Sequence, residues 1–149
     1  MTQKGIDSYL KEQFDIADVD VRTYSPLTLA YIGDAVYDMV IRTRLVTIAN
    51  TQVNKLHKRA SKLVNAGAQA TMITALLEEL TEEELQIYKR GRNAQAVTKA
   101  KNASMKDYRT ATGFEALIGY LYLNQETERM LYLIEKGLQA LELSEKTSE

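Results

Sequence analysis

The chain has no cysteine and no tryptophan, and only one proline and one histidine among its 149 residues. Without cysteine there is no disulfide, no thiolate nucleophile and no cysteine-ligated zinc. The lone His57 excludes a multi-histidine metal centre, so any metal here is a hard, oxygen-ligated ion such as Mg²⁺ or Mn²⁺. His57 itself, beside Lys58, reads as a surface residue rather than a general base. No apolar run approaches the roughly 20 uncharged residues of a membrane span. Residues 1–10 are polar, with Lys4 and Asp7 and no signal-peptide core, so the cytoplasm is the expected compartment.

Few helix breakers and no strand-like alternation predict an all-α, single-domain helical bundle. Residues 1–24 read as a partly disordered tail with room for one short helix. Residues 25–143 read as the folded domain, and 144–149 as a disordered tail. Ser25-Pro26 is a helix start, with Ser as N-cap and Pro in the first turn. The helix that follows, to about Val46, is apolar on nearly all sides until Arg42, the pattern of a central helix. Thr51 is placed to cap a helix ending near Asn65 or Gly67, and Gln69 to Leu80 forms another. Thr81-Glu82-Glu83-Glu84 is a capping box opening a helix to Lys89 or Arg90. Gly91 then stands where a left-handed residue would end it. Residues 91–108 are expected to form a polar, basic loop before a helix from about Thr110 to Leu123. A last helix runs from about Glu126 to Leu143.

The net charge of −1 conceals segregation. Arg42, Arg44, Lys55, Lys58, Arg59 and Lys62 lie in an acid-free stretch. Lys89, Arg90, Arg92, Lys99, Lys101, Lys106 and Arg109 form a second, with Asp107 its one acid. An overall pI of about 5.9 argues against a histone-like binder but allows a local basic surface. Charge runs are commonly solvated faces; they also bind phosphate backbones.

Between these stretches and the apolar runs lie two acids in unusual company: Asp34 in Ala30-Tyr31-Ile32-Gly33-Asp34-Ala35-Val36-Tyr37, and Glu115 in Gly113-Phe114-Glu115-Ala116-Leu117-Ile118-Gly119. Desolvating a lone carboxylate is costly, so a protein neutralises it, pairs it or binds a cation with it. Small residues on both helices (Gly33, Ala35, Gly113, Ala116, Gly119) allow close approach and leave room for an ion. Carboxylates on facing helices suit Mg²⁺, which takes one or two of them and recruits phosphate oxygens. The alternative is structural: a cap, or a salt bridge to Arg. Asp38 reads as such a structural carboxylate, four residues before Arg42.

Tyr31-Ile32-Gly33-Asp34-Ala35-Val36 and Phe114-Glu115-Ala116-Leu117-Ile118-Gly119-Tyr120-Leu121-Tyr122-Leu123, in this order and spacing, resemble the two catalytic helices of the ribonuclease III family. The resemblance spans roughly 25–143. Three positions depart from the family pattern. Two glutamates precede the signature aspartate in N-E-R-L-E-F-L-G-D, where this chain has Leu27 and Ala30. An aspartate stands three residues before the second-helix glutamate, where this chain has Thr112. With Lys89-Arg90-Gly91-Arg92-Asn93-Ala94 and no double-stranded RNA-binding domain, the chain is similar to the compact bacterial branch, Mini-ribonuclease III. The resemblance implies a homodimer with Asp34 and Glu115 as catalytic metal ligands. It also implies a basic valley for double-stranded RNA, with backbone contacts from Lys55, Lys58, Arg59, Arg90, Arg92 and Asn93. Cuts would leave 5′-phosphate and 3′-hydroxyl ends. The implied substrate is precursor large-subunit (23S) ribosomal RNA, with a ribosomal protein as a candidate partner. The replaced positions keep a rival open: a catalytically inactive double-stranded RNA-binding protein of the same fold. A helical interaction module with purely structural carboxylates is a third reading.

Overall fold

The computed structural model describes residues 5–94 and 104–147. Among them lie seven helices and no strand: α1 Ile6–Gln13, α2 Pro26–Ile48, α3 Val53–Val64, α4 Ala66–Leu76, α5 Glu82–Ala94, α6 Met105–Leu123 and α7 Thr127–Thr147. Single 3₁₀ turns lie at Val21–Thr23 and Leu77–Glu79. The all-α expectation therefore holds. No described helix is long and apolar enough to cross a membrane.

Local chemistry sets several ends as expected. The Thr28 N–H donates to the Ser25 hydroxyl at 3.2 Å, with Pro26 opening α2. The capping box closes in both directions: the Thr81 N–H donates to Glu84 Oε1 at 2.9 Å, and the Glu84 N–H to Thr81 Oγ1 at 3.1 Å. Other ends differ. Gln52, not Thr51, occupies the N-cap of α3 and makes no side-chain cap bond. Asn65 caps α4, accepting from the Ala68 N–H at 2.8 Å, so that helix starts three residues before Gln69. At the C-terminal end α7 continues to Thr147, past Leu143, where Lys146 reaches Glu142 one turn back at 3.5 Å. Residues before 25 are not wholly peripheral either. Val21 is buried in the core, and Ser8 accepts a hydrogen bond from the Gln125 amide at 2.7 Å.

The central helix is α6, not α2. Phe114, Ala116, Leu117, Ile118 and Leu121 have no exposed surface, and α2, α4, α5 and α7 pack around them. α2 buries one side only, through Leu29, Val36, Tyr37, Ile41 and Leu45, and leaves Leu27, Tyr31 and Met39 in solvent. Apolar content alone could not separate a surrounded helix from one with an open apolar face. Tyr37 ties the layers together. Its ring meets Phe114 edge-on at 5.3 Å, and its hydroxyl donates to the Leu63 carbonyl at 2.7 Å.

Gly91 does not end α5 in a left-handed conformation; no described glycine has a positive φ. It lies inside α5, where a β-carbon would stand 2.7 Å from that of Ala116 and 3.0 Å from the Gly113 Cα. Close approach of α5 to α6 is what requires glycine there. The expected 91–108 loop is correspondingly shorter at both ends. α5 reaches Ala94, and α6 begins at Met105, capped by Ser104 accepting from the Asp107 N–H at 3.0 Å. The part of that expectation falling on 95–103 lies outside the described residues.

Candidate active site

α2 and α6 lie against each other with their main chains in contact at Gly33 and Gly119. Asp34 follows Gly33 on α2, and Glu115 faces it from α6, so the two acids singled out by sequence meet. They share a cleft of about 330 Å³ with Leu27, Ala30 and Tyr31 of α2, Val64 of α3, Ala66 and Gln69 of α4, and Tyr108, Ala111 and Thr112 of α6. Asp34 is exposed and Glu115 partly buried. Only Glu115 thus meets the desolvation expected of both, because the face of α2 that carries Asp34 is open.

Burial, first, and then the hydrogen bond and negative charge of Asp34 push the Glu115 carboxyl up to about 8. Near neutral pH Glu115 therefore keeps a proton beside Asp34, as closely spaced carboxylates do. The Gln69 side-chain amide pulls in the opposite direction by hydrogen bonding to Glu115. Gln69 comes from α4 and is 1% exposed; its Nε2 also donates to the Val64 carbonyl at 3.3 Å. Sequence reading missed it. The available signal was a lone amide within Ala66-Gly67-Ala68-Gln69-Ala70, where every neighbour is small and apolar.

A ribonuclease III domain model matches residues 27–126. The chain belongs to the ribonuclease III family. It is 50% identical over 123 residues to the Mini-ribonuclease 3 of Clostridium tetani, covering 82% of this chain and 80% of that protein. It is 44% identical over 140 residues to the Mini-ribonuclease 3 of a Thermoanaerobacter species, covering 94% and 99%. A crystal structure of a Fusobacterium nucleatum protein superposes with a TM-score of 0.73 at 30% identity, covering 82% of this chain and 98% of that one. These similarities put the chain in the Mini-ribonuclease III branch, and it is an endoribonuclease, a hydrolase acting on RNA.

The three positions that depart from the ribonuclease III pattern gather around the two retained acids. Leu27, Ala30 and Thr112 all line the cleft. Leu27 is exposed and Ala30 buried. The Thr112 hydroxyl donates back to the Tyr108 carbonyl at 3.0 Å, which leaves its oxygen lone pairs free of that bond. Asp38 stands outside the cleft and pairs with Arg42 at 3.0 Å, the structural role its spacing suggested.

The basic residues separate into two groups. α3 ends at the cleft with Val64, and exposed Lys55, Lys58 and Arg59 stand between about 8 and 14 Å up its axis from there. Arg92 and Asn93 line a different depression, of about 450 Å³, with Lys106 and Arg109. There Arg92 lies over the Tyr88 ring at 5.6 Å and its Nε donates to Asn93 Oδ1 at 3.3 Å. Arg90 is exposed at the same end of α5. The helix that carries the α3 cations thus ends at the acidic cleft, though none of the three lines it. The structure does not bring the α5 residues there.

Proposed function

We propose that this enzyme is a Mg²⁺-dependent endoribonuclease that cuts double-stranded RNA as a homodimer, with Asp34 and Glu115 as its catalytic acids and cation ligands. The observation that carries the reading is the contact between these two carboxyl groups in an open cleft, on helices glycine holds together. The nuclease unit on this reading is residues 25–143, to whose core Val21 adds and past which α7 runs on to Thr147.

A divalent cation fits the donor set. Among the described residues no group of three or more His, Asp or Glu gathers to hold a metal. Mg²⁺ binds with one or two carboxylates and keeps its remaining sites for water and substrate oxygens, so two acids in a roomy cleft suffice. The Asp34–Glu115 repulsion, now relieved by a proton, is what a cation would relieve instead. When bound, Mg²⁺ supplies a water of lowered pKa and stabilises charge on the phosphate. Asp34 stands exposed at the mouth, open to a backbone phosphate. Glu115, deeper, is held from α4 by Gln69. Cleavage leaves 5′-phosphate and 3′-hydroxyl ends.

Duplex recognition falls to exposed cations. An A-form helix is read through shape, phosphates and 2′-hydroxyls, which suits Lys55, Lys58 and Arg59 beside the cleft and Arg90, Arg92 and Asn93 at the far end of α5. Two such faces in one subunit favour an extended substrate over a short single strand. The pairing of subunits is supported by Leu27 and Tyr31, 42% and 82% exposed one turn apart on α2 at the edge of the cleft, where a partner copy would border the acidic site rather than fill it. The physiological substrate on this reading is precursor 23S ribosomal RNA, with a ribosomal protein as a candidate partner, in the cytoplasm.

Asp34→Asn tests the assignment. Cleavage of a duplex RNA in Mg²⁺ should be abolished while melting temperature and RNA affinity hold. Undiminished cleavage would remove Asp34 from the chemistry. Wild-type protein that binds duplex but never cuts at any Mg²⁺ concentration would instead support the inactive binder suggested by Leu27, Ala30 and Thr112.

A further inference from the structure

We infer that Gln69 is a positioning residue for RNA cleavage: its buried amide, reaching across from α4, holds the Glu115 carboxyl group in the orientation that faces Asp34. The inference rests on the reading of Asp34 and Glu115 as the catalytic pair.

A buried amide is costly unless its hydrogen bonds are made. Gln69 is nonetheless 1% exposed and turned into the cleft. An amide nitrogen carries two hydrogens. One goes to the Val64 carbonyl at 3.3 Å, and the amide shares the cleft lining with the Glu115 carboxyl, on which it acts as a donor. The Val64 bond fixes which way the amide points, because a flip would set the amide oxygen against the Val64 carbonyl. Gln69 is therefore a pre-aimed donor, anchored to the end of α3, acting on an acid of α6.

The choice of an uncharged donor follows from the task. A lysine or arginine here would neutralise the acidic pair and repel a cation. A carboxylate would add to the repulsion that Glu115 already meets from Asp34. An amide can turn Glu115 toward Asp34 by hydrogen bonding while adding no charge of its own to the site. Groups that hold a metal-binding carboxylate in this way affect metal affinity or activity by about 10–100-fold when removed.

The test replaces Gln69 with Met, which keeps length without leaving an orphaned polar group, and with Leu as a second variant. Mn²⁺ binding to the RNA-free protein is measured by calorimetry, cleavage of a duplex RNA by kcat and KM separately, and folding by thermal melting. The expected result is Mn²⁺ affinity weaker by about tenfold or more and kcat lower by a similar factor, with KM and melting temperature near wild type. In a Glu115→Gln background, adding Gln69→Met should weaken Mn²⁺ binding no further. Wild-type Mn²⁺ affinity and kcat in either folded variant would overturn the inference. So would unfolding of both, since the amide would then serve the fold rather than the site. Glu115→Gln alone separates the two levels. If it cleaves like wild type, the reading of the site fails; if it is inactive while Gln69→Met is normal, only the role of Gln69 fails.

Discussion

Gly33 lies flat against Glu115, so near that a β-carbon on Gly33 would overlap the Glu115 carbonyl oxygen. The obstruction is backbone on backbone, with no flexible side chain to yield. Gly119 repeats the arrangement one turn along α6, against the Leu29 carbonyl. Helix spacing here is thus set by the absence of side chains, and it brings Asp34 within reach of Glu115. Gly33→Ala must push the helices apart. Overpacking a tight core costs about 1–3 kcal/mol and occasionally more; a backbone clash belongs at the upper end. For a chain of this size that is a fall in melting temperature of roughly 6–12 °C. Cleavage should fall even where the variant remains folded, because the acid pair is drawn apart. A melt and activity within error of wild type would show that the helix spacing is not critical.

If Glu115 takes a cation as proposed, its proton makes both metal binding and stability depend on pH, in opposite senses. A cation must displace that proton, so the Mg²⁺ concentration for half-maximal cleavage should drop as pH rises from 6 toward 8 and level off above about 8. Below that value the drop approaches tenfold per pH unit. For the cation-free fold the effect reverses. Between the ordinary carboxylate value of 4.5 and about 8, folded protein holds a proton that the unfolded chain has released. Unfolding free energy therefore decreases with rising pH across that window, by on the order of 2–4 kcal/mol in total. Glu115→Gln should erase this slope. It should melt like wild type near pH 5 and higher than wild type at pH 9. Parallel pH–stability curves for the two proteins would contradict the assignment of the proton.

The parts of this fold that were legible in sequence are those governed by short-range rules. Ser25-Pro26 and the Thr81–Glu84 box act within one helical turn, so their letters suffice. Asp34 and Glu115 stood out because an acid in an apolar run demands an explanation. Gly91 was misread because a left-handed cap and a close helix crossing call for the same residue, and only the position of α6 tells them apart. Gln69 was invisible for a related reason. Its function lies in what α4 is packed against, some 46 residues further along the chain at Glu115. The apolar length of α2 suggested a central helix, yet Leu27 and Tyr31 face outward, which sequence periodicity could not distinguish from burial.

That outward face leads to a prediction about assembly. Tyr31 is 82% exposed on a helix whose other large aromatic, Tyr37, is fully buried. If the face pairs with its copy, wild-type protein should sediment at about twice the 16.8 kDa chain mass at micromolar concentration. Leu27→Glu combined with Tyr31→Glu should then sediment as a single chain. Helical circular dichroism should be retained, because neither side chain belongs to the subunit core. A wild-type protein that is already monomeric at tens of micromolar would refute the pairing.

If the α3 cations bind RNA as proposed, their position makes that contact separable from the chemistry. Lys55, Lys58 and Arg59 are exposed, on the helix that ends at the cleft, and none lines it. Each phosphate they neutralise releases counterions, worth roughly 0.9 in the slope of log affinity against log salt for a duplex. Replacing all three with Ala should reduce that slope by up to about 3 and weaken duplex affinity most at low salt. At saturating RNA, kcat should remain within about twofold of wild type, since the acid pair and Gln69 are untouched. The paired loss of Arg92 should behave differently. It removes a cation stacked on Tyr88 as well as the proposed phosphate contact, so Arg92→Ala should lower the melting temperature along with the slope. An unchanged salt slope in the triple variant would mean that the duplex does not cross α3, and that the basic depression of Arg92, Lys106 and Arg109 carries the contact alone.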